Sequence, residues 1–382
     1  MSEVLAQQIR AHVESRTPFR PTGSGTWLHG GGPFADAAHL DVRAHAQGVV
    51  AYEPGDLVAT VGAGTTWQEL SDITAVHGQM FAIAPYGSPH STIGAMVATA
   101  ASAPLAYGDL LMRDLVLGLT AITCTETGER IRAGGQVVKN VAGFDLVRLF
   151  TGAFGTLGVI TEVSLRLHAR PPHDDIVRVP LAQDLASVLP QIVANRGPVS
   201  LLIHMAPGHT PELWARISGN NSRVDALRTH VAALAMALDS ALHTHGTADA
   251  PHDTPLFHSP ADAIVLRLRT PRSDAVPFVT AAREALPHAT LQYHVERGTL
   301  RAMIPAEHTT RVDKDLGTLY RIAAQFGAMH TISVAWDQGR TTPAPRSPLE
   351  RQIKQQFDPH HCCNRWRSAP DEIPDHLTSS AA

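Results

Sequence analysis

Two periods of apolar and polar positions run along this chain. Leu5, Ile9 and Val13 recur every four residues, which predicts a helix over 3–16 with one apolar face. Apolar runs at Val49–Tyr52 and Leu57–Val61 flank Glu53-Pro-Gly-Asp56, so two strands are expected around a turn. Thr66 and Glu69 stand at capping-box spacing ahead of Trp67, Leu70 and Ile73, predicting a helix with that face inward and Gly78 closing it. Leu115–Thr123 reads as a buried strand, and Thr127-Gly128 as a hairpin turn. From Val159 to His168 the alternation is strict. Val159, Thr161, Val163, Leu165 and Leu167 point one way and Ile160, Glu162, Ser164, Arg166 and His168 the other, which predicts a half-buried strand.

Arg170-Pro-Pro172 interrupts the pattern, because proline cannot continue a central strand and paired prolines favour an extended linker. Beyond it, Leu213–Ser218 and Val265–Leu268 read as strands and Ser222–Leu238 as a helix. Residues 340–348, rich in Pro and Thr, read as a loop or linker. The expected architecture is α+β, with a first domain over 1–172, a smaller α+β cap over 173–360 and an atypical tail over 361–382.

Composition narrows the function classes. A chain of 382 residues can hold two or three cores, and a net charge of −4 gives no reason to expect a nucleic-acid surface. The three cysteines, Cys124, Cys362 and Cys363, are too few for a disulfide framework and fit a reducing, cytoplasmic compartment. No secretory leader and no run of about 18 apolar residues is evident, so membrane association would come through partners.

Candidate chemistry lies in glycine-rich turns. Pro21-Thr-Gly-Ser-Gly-Thr26 and Gly152-Ala-Phe-Gly-Thr-Leu-Gly-Val-Ile-Thr161 stand far apart in the chain. Glycines at such turns let backbone N–H groups approach a ligand without a Cβ between them. Two such turns suggest a dinucleotide lying between two subdomains. The first turn lacks the third glycine of a Rossmann fingerprint and the Lys-Ser/Thr of a phosphate-binding P-loop. Between the two turns lie Pro85 to Ala95, which leads into an Ala-rich stretch, and Gly134 to Asp145, which carries Lys139 and Asn140 among valines.

The ordered set GSGT at 23–26, Tyr52-Glu-Pro-Gly, Ser91-Thr-Ile-Gly, Tyr107-Gly-Asp, Val138-Lys-Asn-Val-Ala-Gly-Phe-Asp and Gly155-Thr-Leu-Gly-Val-Ile-Thr resembles the FAD-binding domain of the vanillyl-alcohol-oxidase (PCMH) type. Within that superfamily, residues 134–145 and 149–165 are similar to the FAD-binding E subunits of bacterial glycolate oxidases (glycolate dehydrogenases). The resemblance implies a two-part FAD domain followed by a cap. In it Gly23, Ser24, Gly25 and Thr26 hold the pyrophosphate. Pro85, Thr92, Ile93 and Gly94 lie along the ribityl and pyrophosphate, and Gly155, Gly158, Val159 and Ile160 approach the adenine side through their backbone. Pro21 and Ser91, in the same blocks, are candidate neighbours. It also implies partners, namely a catalytic flavin subunit and an iron–sulfur subunit, and oxidation of glycolate to glyoxylate.

The chain departs from the family pattern in several places. Ala95 stands where many relatives have a second glycine, and Phe154 where many catalytic members have a glutamate. No His or Cys falls within Gly23–Thr26, so the FAD is expected to be non-covalent. His204-Met-Ala-Pro-Gly-His209 lacks the Asp and Asn of the metal and substrate motif of catalytic relatives, and reads as a strand end and turn. His360-His-Cys-Cys363 has metal-ligand composition, but adjacent residues point apart and do not make one tetrahedral site. No catalytic residue and no metal ligand is assigned. Two further readings stay open: a self-sufficient FAD-dependent 2-hydroxyacid dehydrogenase, and an assembly subunit that binds FAD weakly.

Overall fold

The computed structural model describes residues 2–26, 37–100, 105, 107, 110–135, 145–194, 200–247, 263–305, 309–334 and 348–364. The chain divides into two compact units, one of Met1–Ala103, Leu110–Arg170 and Asp337–Asp371 and the other of Pro104–Asp109, Pro171–Trp336 and Glu372–Ala382. The division thus falls beside the Arg170-Pro-Pro172 boundary, but the second unit stops short of residue 360 and the first takes back a C-terminal segment.

The first unit opens with helix α1 (Ser2–Glu14), on which Leu5, Ile9 and Val13 are all buried, as their spacing predicts. Strands β1 (Phe19–Thr22) and β2 (Ala38–Asp41) pair in parallel. Strands β3 (Val49–Glu53) and β4 (Val58–Gly62) flank a short 3₁₀ turn at Pro54–Asp56, whose N-cap Glu53 accepts from the Gly55 N–H. Helix α2 (Trp67–Ala75) starts on the complete Thr66–Glu69 capping box. Its buried face differs from expectation: Leu70 and Thr74 are inside, while Ile73 is exposed. Thr74 is acceptable there because its hydroxyl donates to the Leu70 carbonyl at 2.9 Å, so no polar group is stranded.

Then follow β5 (Gln79–Met80), α3 (Ile93–Thr99), α4 (Met112–Leu115), β6 (Val116–Thr123), β7 (Arg130–Gly134), α5 (Leu146–Phe150), β8 (Gly158–Arg166) and β9 (His168–Ala169). The five-stranded sheet has the order β3-β4-β8-β6-β7, all antiparallel, and β5 pairs with β9. The β6–β7 hairpin turns through Gly128, as expected. The half-buried reading of residues 159–168 needs correction. Ile160 and Ser164, on the face expected to meet solvent, are buried, and only Glu162 and Arg166 on β8 escape full burial. Ser164 is covered by the neighbouring strand, where its hydroxyl lies 2.8 Å from that of Thr60 on β4, and Ile160 lines a cleft rather than the open surface.

In the second unit, β10 (His173–Pro180), α6 (Leu185–Ala194), β11 (Ser200–Met205), β12 (Glu212–Gly219), α7 (Asn221–Ala237), β13 (His243–Thr247), β14 (Ala263–Arg269), α8 (Ala275–Ala285), β15 (Thr290–His294), β16 (Thr299–Pro305), α9 (Thr309–Gln325) and β17 (Met329–Val334) build one eight-stranded sheet. Its order is β13-β10-β12-β11-β15-β16-β14-β17, every pairing antiparallel. One continuous core joins helix residues such as Ile192, Val231, Phe278 and Leu319 to strand residues such as Val177, Ile203, Leu266 and Leu300. Arg216 on β12 pairs with Asp174 on β10 and donates at 3.1 Å to the carbonyl of Leu105, with its guanidinium 5.6 Å from the centre of the Tyr107 ring. These contacts explain why a short piece of chain from the 104–109 region groups with the second unit.

The last element, α10 (Pro348–Phe357), returns to the first unit. Of the expected tail, His361–Asn364 pack there, and 365–382 lie outside the described residues, as does the expected linker up to residue 347. No helix among the described residues is long and apolar enough to cross a membrane.

Candidate functional site

A cleft of the first unit is open, with an empty volume of about 620 Å³ that includes solvent space. Three stretches of chain and one late residue wall it. The first is Arg20, Pro21, Thr22 and Gly23, where β1 runs out into the glycine loop. The second is Thr92, Gly94, Ala95, Ala98 and Thr99, one side of α3, with Ala63 and Val42 beside it. The third is Phe154, Gly155, Gly158 and Ile160, leading into β8, and Asn364 closes the set.

Small residues make this cleft, and local geometry explains why. A Cβ on Gly23 would stand 2.3 Å from Oγ1 of Thr92 and 2.6 Å from its Cγ2. Thr92 cannot step aside freely, because its hydroxyl caps α3 by accepting from the Ala95 N–H at 3.4 Å. Gly94 lies as tightly against strand β4, where a Cβ would meet the Ala63 carbonyl oxygen at 2.8 Å. The α3 C-terminus and the third stretch are tied together by backbone bonds, Phe154 N–H to Ala98 O at 2.7 Å and Gly152 N–H to Val97 O at 3.0 Å. The walls are therefore held by the backbone rather than by adaptable side chains.

Of the residues expected at a cofactor site, Pro21, Gly23, Thr92, Gly94, Gly155, Gly158 and Ile160 come together on the cleft. Ser24, Gly25 and Thr26 continue the loop beyond it. Gly25 has a left-handed φ of 76°, and the Thr26 hydroxyl lies 3.0 Å from that of buried Ser91, which fastens the loop to the α3 side. Pro85, Ile93 and Val159 are not brought to the cleft. Pro85 is buried, and the side chains of Ile93 and Val159 are fully buried. The N–H groups of Ile93 and Gly94 donate to Thr65 O and Ala63 O at 2.8 and 2.7 Å, so they hold α3 to the end of β4. Lys139 and Asn140 lie outside the described residues, and Asp145 caps α5 by accepting from the Arg148 N–H at 3.0 Å.

Two buried polar side chains on the cleft have no glycine motif to announce them. Arg20 is 8% exposed, and burial pushes its guanidinium down to about 10, still charged at neutral pH. It brings positive charge to the wall beside the Gly23 loop, where a phosphate would be favoured. Asn364 is 7% exposed and reaches the cleft from the far end of the chain. The sequence signal for Arg20 was its place three residues ahead of Gly23 in a strand of otherwise apolar and small residues.

Among the described residues no group of three or more His, Cys, Asp or Glu side chains could hold a metal ion. His204 ends β11 and His209 lies in the exposed turn after it. Cys124, Cys362 and Cys363 are buried free thiols, and burial pushes Cys124 and Cys362 above the ordinary thiol range, which makes them poor nucleophiles.

Residues 2–134 match the family model described as FAD binding domain. The whole described architecture matches p-cresol methylhydroxylase with a TM-score of 0.72 at 16% identity, over 95% of this chain and 86% of that one. Residues 2–134 thus read as an FAD-binding domain, and the fold, which continues into a second α+β unit, is the one seen in p-cresol methylhydroxylase. In sequence it is 34% identical to the glycolate oxidase subunit GlcE of Escherichia coli (strain K12) over 230 residues, which is 59% of this chain and 63% of that protein. It is also 34% identical to the glycolate oxidase subunit GlcD of Bacillus subtilis (strain 168) over 160 residues, 41% of this chain and 33% of that protein. These matches span less than two thirds of either relative.

The residues present fit an FAD. The glycine loop and Gly155 offer close approach of backbone, Arg20 offers charge to a diphosphate, and the side-chain oxygen of Asn364 is buried with no hydrogen-bond partner.

Proposed function

We propose that this chain is the FAD-binding subunit of a heteromeric glycolate-oxidising complex, an FAD-dependent oxidoreductase that turns a 2-hydroxy acid into a 2-oxo acid. The observation that carries the reading is the single cleft on which Gly23, Thr92, Gly155, Gly158 and Arg20 converge, within a chain similar to a glycolate oxidase subunit. The similarity to both an E-type and a D-type subunit supports partnership with a second, catalytic flavin subunit. With three buried cysteines, this chain has too few thiolates for a cubane cluster, which needs about four, so an iron–sulfur subunit is the proposed outlet for electrons.

The chain's own residues position the cofactor. Gly23, at the cleft edge of the glycine loop, presents backbone to the diphosphate, and Arg20 supplies the opposite charge. Thr92, Ala95 and Ala98 give α3 a flat side for the ribityl chain, and Gly155 to Ile160 line the far wall. An FAD supplies acceptance of two electrons from the alcohol carbon and their release to a one-electron partner. Among the described residues that wall the cleft none is His or Cys, which supports a non-covalent attachment.

The test has two parts. Purified chain should carry FAD that separates from the polypeptide on acid denaturation; colour that stays with the chain would refute the non-covalent assignment. Glycolate-dependent reduction of an artificial acceptor should then appear only when the candidate D-type and iron–sulfur subunits are added. Substantial turnover by the chain alone would replace the complex with a self-sufficient dehydrogenase.

A further inference from the structure

The C-terminal segment is built into the wall of the cleft by a buried ion pair. Lys354 on α10 is 4% exposed, and its ammonium donates to Asp358 at 2.5 Å, to the Thr156 carbonyl at 2.5 Å and to the Cys363 carbonyl at 3.1 Å. Asp358 is fully buried and accepts from the N–H groups of Cys362 and Cys363, both at 2.9 Å. The Phe19 N–H donates to Cys362 O at 2.9 Å, and the Asn364 N–H to Phe19 O at 2.8 Å, so the segment lies alongside β1. Three of these bonds leave the segment and fix it to the backbone next to the cleft, one at Thr156 and two at Phe19.

The segment ends on Asn364. Its φ of 38° lies in the left-handed region, which asparagine tolerates better than most residues. Its Nδ2 donates to the Phe154 carbonyl. That bond settles which way the amide faces, because the reverse orientation would set two oxygens against each other. Oδ1 is then left buried on the cleft without a hydrogen-bond partner. A buried carbonyl left unsatisfied is costly, and a segment anchored this firmly has no freedom to turn it away.

We propose that Oδ1 of Asn364 is a cofactor contact: it accepts a hydrogen bond from an N–H or O–H donor of the FAD. The C-terminal segment is then a working wall of the site, delivered by the Lys354–Asp358 pair. This rests on the reading of the cleft as the FAD site.

The test measures FAD affinity of the full-length chain by flavin fluorescence, together with thermal stability of the cofactor-free protein. Asn364→Gly removes the amide and keeps a residue suited to positive φ, and Asn364→Ala is the second variant. One hydrogen bond to a neutral donor is worth about three- to tenfold in dissociation constant, so a rise of that size is expected in both variants. The cofactor-free Asn364→Gly protein loses the unsatisfied oxygen and the Nδ2 bond to Phe154 together, so its melting temperature is the control that separates a folding effect from a lost cofactor contact. FAD affinity within about twofold of the parent in a folded variant overturns the assignment, as that is less than the weakest hydrogen bond of this kind contributes. Absence of FAD binding by the unmutated chain overturns the cofactor reading of the cleft instead.

Discussion

The two units spend their polar groups differently. In the second unit, eight antiparallel strands and four helices among the described residues pack around a large apolar core, with a small separate cluster at Ala263, Val265 and Met303. Its well-buried ion pair, Arg216 with Asp174, bridges two neighbouring strands and so reinforces pairing that the sheet already makes. In the first unit, a smaller sheet is joined by long glycine-rich connections, and the buried pair Lys354–Asp358 ties together segments with no shared ladder. The difference teaches where to look for a ligand. Apolar packing alone does not hold a chain open around a cleft; that takes glycines too crowded to accept a side chain and buried charges that pin loops from several sides.

The sharpest way to break this contrast is Gly23→Val. The new side chain would collide with Thr92, and the loop or the α3 cap must give way. FAD affinity should fall by at least about 100-fold, equivalent to ~2.7 kcal/mol, while the second unit keeps its own melting transition. Flavin content equal to the parent would show that the Gly23–Thr26 loop is an ordinary turn and that the two units do not differ in this way.

Next comes Lys354→Met. Removing one partner of a buried pair leaves the other charge uncompensated and costs about 3–5 kcal/mol. Because Lys354 also holds Thr156 and Cys363, the loss should fall on the first unit and on flavin retention together. Pairing the change with Asp358→Asn should recover part of the stability. A single variant as stable as the parent would mean that α10 is a passive appendage. The matching change in the second unit is Phe278→Ala. Phe278 is fully buried and meets Phe326 edge-on at 6.1 Å, so the cavity should cost about 3 kcal/mol. FAD affinity of the folded variant should be unchanged, and a drop would mean that the units are energetically coupled.

Local order was legible in the sequence wherever a single stretch determines it. The α1 spacing, the turn between β3 and β4, the α2 capping box and the β6–β7 turn are all short-range matters of propensity and capping, and the structure has them. The errors arise from neighbours that a local pattern does not contain. Ile160 and Ser164 alternate like surface positions, yet Ser164 meets Thr60 on the neighbouring strand and Ile160 walls the cleft. Asn364 reaches Phe154 only because a distant helix docks on the same unit.

The smallest effect concerns the motif that was most legible, the α2 capping box. Glu69 accepts from the Thr66 N–H at 2.7 Å and from the Arg43 guanidinium at 2.7 Å. Burial pushes its carboxyl up, but the bonds from Arg43 and Thr66 outweigh that and hold it below the usual glutamate range. A carboxylate lowered on folding contributes stability above its unfolded pKa and loses it as the pH falls through the folded value. The contribution is therefore complete at neutral pH and fades in acid. With the side chain 44% exposed, solvent screening keeps it below about 1 kcal/mol. Thr66→Ala should cost about 1 kcal/mol at neutral pH and somewhat less in acid, because the hydroxyl caps the Glu69 N–H and also helps hold the Glu69 carboxyl down. Glu69→Gln should cost less and flatten the acid limb of a plot of melting temperature against pH. An acid limb unchanged in Glu69→Gln would place the pH dependence of the first unit elsewhere and leave the box a purely neutral cap.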